Sequence, residues 1–559
     1  MESNRFSRRH FFYGSLLAGA VPSGGFGTTV SLKKLGYKSP NEKLNLAAIG
    51  AGGQPFSDLR NAEAGAENVV ALADVDWDRG AQGFKQWPNA EKYKDFRQML
   101  DRQGKSIDAV VIGTPDHTHA TAAVACMQLG KHVYVEKPLT RTAWEARLLT
   151  QAAEKYKVAT QMGNQGYSHD ATRVACEIFW AGEIGEVREV HAWTGRPSWP
   201  QGMTKTAAAT QAPDTLDWDL WLGPAASRPF TAGDDDYKAF VEQRNARSGR
   251  GGGGGGFPGG DRFGFYLPFN WRGFYDFGSS LIGDWGVHIL GPANWALQLG
   301  PEYLISVECI KKDSLPPFTF PDELAIKYEF AARPGMPPVT VYWYHQQGPD
   351  PYAAPGMTVE EARKIPGKGP QVGPAPGQGG FVPGSGGVPP SGARAGARGG
   401  APGGPGAPGA PGRPGGGGGG GRGGGPPQEG RSGYNSIFVG SKGHLGTSGR
   451  GEGVGLLPGS RWAEYKLPPE YLPRSPGAST GSNHSAHCRD WVRACKGGAP
   501  ACSNFGIAGK YTEWLVLGAA AVHYEGKLLW DNARGEISNN KDANKWVKPT
   551  FRKGWEIKL

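Results

Sequence analysis

From residue 44 to 163 the chain alternates short apolar runs with glycine-rich turns and helix-period stretches. Leu44 to Ile49, Val69 to Ala73, Ile107 to Ile112, His132 to Val135 and Val158 to Gly163 are each four to six residues long and mostly apolar. Runs of that length with helical patterns between them predict strands buried on both faces of a parallel sheet. The pattern changes from about residue 166. Glu186 to Trp193 alternates polar and apolar positions like a half-buried strand, and Asp322 to Phe330 and Val339 to Tyr344 are further strand candidates among aromatic-rich segments. A mixed sheet with flanking helices is expected there.

The strand ends carry the candidate chemistry. Gly50-Ala51-Gly52-Gly53-Gln54-Pro55 makes a glycine turn between the first strand and a helix. Gly50 permits the tight turn, Gly52 lets the backbone approach a pyrophosphate, and Gly53 and Gln54 open a helix whose free N–H groups would face it. Pro55 replaces the usual third glycine; a first helical turn tolerates it, but looser helix-to-strand contact is expected. Asp74, at the end of the second strand and about 20 residues on, is placed to bind an adenosine ribose and favours NAD over NADP, with Asp76 close enough to compete. In Thr114-Pro115-Asp116-His117-Thr118-His119, Thr114 and His117 are read as lining the cofactor cleft. No cysteine or third histidine nearby completes a metal site, so no metal is expected. Glu136-Lys137-Pro138 ends another strand where Pro138 removes a ladder donor, and sets Lys137 at the carboxyl edge where ligands of open α/β sheets bind. Asn164-Gln165 is a further polar strand end beside the cofactor.

In the second half, Gly278-Ser279-Ser280-Leu281-Ile282-Gly283-Asp284-Trp285-Gly286-Val287-His288 is the chemical centre. Asp284 and His288 are four apart, so on a helix they share a face, and the carboxylate can fix the imidazole tautomer and raise its basicity. Tyr167, His169 and Arg272 are candidate substrate contacts. Trp218, Trp221 and Trp271 either stack on a substrate ring or belong to the core.

Taken in order, Gly50-Ala51-Gly52-Gly53, Thr114 to His119, Glu136-Lys137-Pro138, Gly163-Asn164-Gln165 and Asp284 to His288 resemble the family of glucose-fructose oxidoreductase and inositol dehydrogenase (Gfo/Idh/MocA). The resemblance covers most of the chain outside a leader and glycine-rich insertions. It implies an α/β fold: an N-terminal Rossmann domain with a doubly wound parallel sheet at 41–165, and a C-terminal α+β domain with a large mixed, mainly antiparallel sheet at 166–559. It also implies NAD as cofactor, with NADP the second choice, contacts from Glu136 and Lys137, and Asp284 and His288 opposite Lys137 across the nicotinamide. Gly278-Ser279-Ser280 stands where the family often has three glycines, which should narrow the pocket. The implied activity is oxidation of a secondary alcohol of a sugar or cyclic polyol, with Lys137 and His288 handling the proton and Asp284 orienting His288. One alternative is an NAD-dependent glycosidase that uses transient oxidation and elimination with no net redox change. A less favoured one is a non-catalytic sugar-binding protein. A homo-oligomer through the C-terminal sheet also fits.

Composition changes this picture little. The 559 residues suffice for two domains, and no stretch approaches the roughly 20 apolar residues of a membrane span. Much of the formal net charge of +10 lies in Arg5, Arg8 and Arg9 and in the arginines of a Gly/Pro/Ala segment at about 367–431. What remains is mildly basic with no nucleic-acid motif, so a nucleic-acid partner is not expected. Ser7-Arg8-Arg9-His10-Phe11-Phe12 before a weakly apolar run predicts a twin-arginine leader and linker at 1–40 and a periplasmic or other extracytoplasmic protein. The Gly/Pro/Ala segment has too few large apolar side chains to offset the entropy of ordering and is expected to be disordered. Cys126, Cys176 and Cys309 read as core residues, whereas Cys488, Cys495 and Cys502 cluster closely enough for one disulfide.

Overall fold

In the computed structural model the described residues are 42–64, 66–195, 197, 199–247, 264–345, 434–457, 460–463, 465–474 and 483–559. The predicted leader, the glycine run at 251–256 and the Gly/Pro/Ala segment lie outside them.

Strands β1 (Asn45–Ile49), β2 (Asn68–Ala73), β3 (Glu91–Tyr93), β4 (Ala109–Ile112), β5 (His132–Val135) and β6 (Thr160–Met162) form one parallel sheet in the order β3-β2-β1-β4-β5-β6. Its register sets the site. Ile49 pairs with Ala73 and Ile112, and Val135 with Ile112 and Met162, so Gly50, Asp74, Gly113, Glu136 and Gly163 all emerge at one edge. β3 has only three residues and two exposed side chains, which is why no apolar run announced it.

Helices α1 (Gln54–Glu63), α2 (Trp77–Gln86), α3 (Phe96–Gln103), α4 (Asp116–Gln128) and α5 (Ala143–Tyr156) wind the sheet on both faces. Leu46, Ala48, Leu72 and Val111 bury one face against Leu59 of α1 and Phe84 of α2. On the other, Ala47, Ile49, Val110 and Ile112 join Met99 of α3, Ala123 of α4 and Leu149 of α5. The first face is completed from far along the chain. After α6 (Asp170–Trp180) in the second half, α7 (Asn483–Cys495) inserts Cys488, Trp491 and Cys495 into that same cluster.

The second sheet runs β13-β12-β11-β7-β10-β9-β8-β14-β15. Its strands are β7 (Val187–Thr194), β8 (Leu304–Lys312), β9 (Leu324–Phe330), β10 (Val339–His345), β11 (Ser436–Gly440), β12 (Gly443–Thr447), β13 (Val454–Leu457), β14 (Leu528–Asp531) and β15 (Glu536–Ile537). Only β7 and β10 pair in parallel; the other neighbours are antiparallel. Helix α8 (Phe505–Ala521) packs on this sheet, and its Leu515 carbonyl accepts a 2.7 Å hydrogen bond from Tyr328 Oη. All six cysteines are free thiols, and Cys488 and Cys495 lie on one helix. Among the described residues no helix is long and apolar enough to cross a membrane.

Candidate active site

The glycine turn is held by its neighbours. Gly50 has φ +95° and Gly53 φ +69°, the left-handed region that glycine enters without a Cβ penalty. A methyl group on Gly113 would lie 2.6 Å from Pro55 Cβ, so Pro55 is wedged against the ends of β1 and β4. Gly113 thus supplies the close approach that a third glycine usually gives, and the expected loosening does not occur. A methyl on Gly52 would lie 1.9 Å from the Arg79 carbonyl oxygen. The missing Cβ at Gly52 therefore admits the first turn of α2. Asp74 closes the turn from β2, accepting from Ala51 N at 2.8 Å and Asp76 N at 3.0 Å. Burial pushes Asp74 up to about 6, with those N–H groups opposing it. Asp76 caps α2 through its Oδ1, while Gln54 donates its amide to Asp58 at 2.8 Å.

Across the same edge lies the charged centre. Lys137 Nζ donates to Asp284 Oδ1 at 2.7 Å and to the Asp284 carbonyl at 3.4 Å. Arg272 Nε donates to the same Oδ1 at 3.0 Å, and its guanidinium stacks on Phe269 and Trp271. Burial alone would raise the Asp284 pKa; the two cations reverse that and hold it well below the usual carboxylate range. Asp116, at the start of α4, accepts from Ser279 Oγ at 3.1 Å. Burial pushes Asp116 up to about 7, with Arg272, Asp284 and Lys137 as the charges around it. Sequence reasoning missed Asp116 although it stands inside a motif read for its neighbours; its place at a strand-to-helix edge was the available signal.

Asp284 and His288 do not share one helix. The chain is helical over Ser280–Asp284 and Gly286–Ile289 with a break at Trp285, and Asp284 is spent on Lys137 and Arg272 rather than on the imidazole. His288 is 4% exposed and its Nδ1 has no hydrogen-bond partner. Burial, then Lys137 and Arg450, depress its pKa, so the ring is neutral. Asn164, at the end of β6, is 1% exposed, and both its Oδ1 and Nδ2 lack partners. Buried polar groups are almost always paired, so orphans at this edge fit groups reserved for a ligand. Ser279 and Ser280 bind Asp116 and Gln201 respectively, which fastens the segment leading to Asp284.

Other predicted residues serve elsewhere. His117 faces the Trp221 carbonyl at 3.1 Å, contacts Trp221 and Phe277, and is pushed down to about 3 by burial. It lines a separate cavity with Arg141, Glu145 and Phe551, a correction to its expected place in the cofactor cleft. Thr114 accepts from Thr118 Oγ1 at 2.6 Å, and its carbonyl and that of Pro138 flank His119, tying the two edge loops together. Glu136 packs against Gly163 and stands beside Asp58 of α1, so its carboxyl is turned to the sheet interior rather than the cofactor. Tyr167 is 2% exposed, stacks on Trp295 and receives Asn294 Nδ2 at 2.7 Å; it is a core residue, not a sugar contact. Trp218, Trp221 and Trp271 also belong to an aromatic cluster. Gln165 opens the short turn to Ser168. His169 lies in the field of Arg450 and Glu452, and burial holds it down at about 4. Arg450, beyond the Gly/Pro/Ala segment, stacks over Trp285, and no motif pointed to it.

These features define a nucleotide-binding half with a charged centre at its carboxyl edge. Residues 44–164 match the sequence model of an oxidoreductase family described as having an NAD-binding Rossmann fold, GFO_IDH_MocA. Residues 44–164 of this chain accordingly carry an NAD-binding Rossmann fold. A dTDP-3,4-didehydro-2,6-dideoxy-alpha-D-glucose 3-reductase of Saccharopolyspora spinosa is 31% identical over 166 residues, 30% of this chain and 48% of that protein. An inositol 2-dehydrogenase of Rhodococcus erythropolis is 29% identical over 168 residues, 29% of this chain and 48% of that protein. The chain thus spans about half the length of these curated relatives. A dehydrogenase of Bordetella pertussis solved with NADH and UDP-GlcNAcA aligns over 88% of this chain and 99% of its own at 11% identity and TM-score 0.49.

Proposed function

We propose that this protein is an NAD-dependent oxidoreductase acting on a secondary alcohol of a sugar or cyclic polyol. The observation that carries the reading is the buried Lys137–Asp284–Arg272 group beside the orphaned His288 Nδ1 and Asn164 amide, at the carboxyl edge of an NAD-binding sheet. The relatives named for reductase and dehydrogenase activity on a sugar nucleotide and on inositol support the substrate class.

NAD, when bound, supplies the hydride acceptor. Gly50 and Gly53 shape the turn that would hold its pyrophosphate, and Asp74 and Asn164 offer groups for its ribose and amide ends. His288, neutral and with Nδ1 unpaired, takes the hydroxyl proton of the alcohol. Lys137 keeps its ammonium on Asp284 and stabilises the negative charge that develops on the alcohol oxygen. Arg272 fixes Asp284 from the other side, so the carboxylate positions Lys137 rather than His288.

The test is a polyol and sugar screen with purified protein and NAD, following NADH and substrate separately. NADH formed with ketone product and abolished in Lys137→Ala supports the reading. Substrate consumed without net NADH would replace it with the redox-neutral glycosidase. No turnover at all, with sugar bound, would leave a binding protein. We also propose export by the twin-arginine route, from Arg8-Arg9; replacing both with lysine should leave the precursor in the cytoplasm, and unchanged export would overturn this.

A further inference from the structure

We propose that Asp58, His484 and Cys488, with the Glu136 carboxyl beside Asp58, form a binding site for one divalent cation of the zinc class, separate from the Lys137–Asp284 centre. Asp58 lies in α1, Glu136 directly follows β5, and His484 and Cys488 are one turn apart on α7. One ligand atom each from Asp58, His484 and Cys488 lies within 4.8 Å of the others. His484 Nε2 is 2.6 Å from Asp58 Oδ1. Asp58 and Cys488 are fully buried, whereas the His484 side chain is 23% exposed and gives an ion its way in.

The orphaned oxygens point to what belongs there. Asp58 Oδ2 and Glu136 Oε1 are both buried without a hydrogen-bond partner, in neighbouring residues that are 0% and 5% exposed. Two adjacent carboxyl groups in an apolar interior need a shared proton or a cation between them. The flanking imidazole and thiol favour the cation. Nitrogen, sulfur and oxygen donors together suit Zn²⁺, whereas Ca²⁺ and Mg²⁺ take oxygen. Bonds of about 2.0–2.3 Å put tetrahedral ligand atoms roughly 3.3–3.8 Å apart, so the cluster closes on an ion by side-chain shifts of about an ångström. Binding releases the Cys488 thiol proton, and any proton shared by the carboxyls, to solvent. The ion would pin α7 to α1, the helix that follows the glycine turn, and to the residue preceding Lys137.

The test uses full-length protein stripped on a chelating resin, then titrated with Zn²⁺ against a chromophoric chelator, with metal content read by atomic emission. One equivalent per chain is expected. His484→Ala and Cys488→Ser should each weaken binding at least about a hundredfold, beyond the loss from removing an outer contact, while Cys309→Ser on β8 leaves it unchanged. If Cys488→Ser fails to fold, Co²⁺ added to the stripped native chain gives the second readout: a thiolate-to-cobalt absorption band that Zn²⁺ displaces. No stoichiometric binding, equal binding in His484→Ala, or a cobalt spectrum without the thiolate band overturns the site and leaves a carboxyl pair sharing a proton. None of these measurements involves NAD or turnover, so the result stands apart from the proposed activity.

Discussion

Lys137 and Asp284 are 147 residues apart in sequence and meet at 2.7 Å, each held by a different half of the molecule. The side chains are 16% and 8% exposed, so the pair is screened little by solvent. His288→Ala should lower turnover by about 10²–10⁴ while NAD stays bound, the usual contribution of a placed proton-transfer group, and Lys137→Ala by about 10²–10³, the usual loss when a donor that stabilises developing negative charge is removed. Steady-state rates with calorimetric NAD affinity decide this; near-native turnover in Lys137→Ala would end the mechanism.

Asp284→Asn should cost more stability than His288→Ala. Removing the charge leaves Lys137 and Arg272 buried and facing one another, which costs about 3–5 kcal/mol when one side of a buried pair is lost. Urea unfolding should show that loss in Asp284→Asn and little change in His288→Ala.

Asn164→Ala should leave stability without cofactor unchanged or raised, because an unsatisfied buried amide is removed with no hydrogen bond lost. NAD affinity should nevertheless fall, by about tenfold for one hydrogen bond. A destabilised protein with native affinity would show that the amide is paired within the fold.

Asp116 provides a pH test. Its folded pKa of about 7 lies above the ordinary 3.8, so its favourable contribution is full below about pH 3.8 and is lost as pH rises through about 7. Asp116→Asn should therefore gain stability relative to the native chain between pH 4 and pH 8, by at most about 4 kcal/mol. Melting temperatures that track in parallel across that range would show that Asp116 is ionised throughout.

Gly113→Ala should destabilise the protein through the 2.6 Å approach to Pro55 Cβ. Combined with Pro55→Gly the damage should be less than the sum of the two single changes, because the colliding group is gone. Strict additivity in a double-mutant cycle would mean that the wedge does not exist.

The parallel sheet was legible because each strand is an apolar run closed by a polar or glycine edge, and the register brings those edges together. Lys137, Asp284 and His288 were legible as a motif set, but their connections were not. A break at Trp285 and a guanidinium from Arg272 decide which group Asp284 serves, and neither leaves a local periodic signal. His117 and Tyr167 were misplaced because an aromatic or imidazole in a loop reads the same whether it faces a ligand or a neighbouring core. β11 to β13 went unread for another reason: they are short, glycine-bearing and separated from their partner β7 by most of the second half.

Trp491 and its neighbours on α7 bury one face of a sheet whose strands were all made hundreds of residues earlier. On the ribosome, β1 to β6 emerge with that face covered by α1 and α2 but without α7 until residue 495 has cleared the exit tunnel. The apolar packing of the nucleotide-binding sheet is therefore completed only after α7 has been made, more than 300 residues beyond β6.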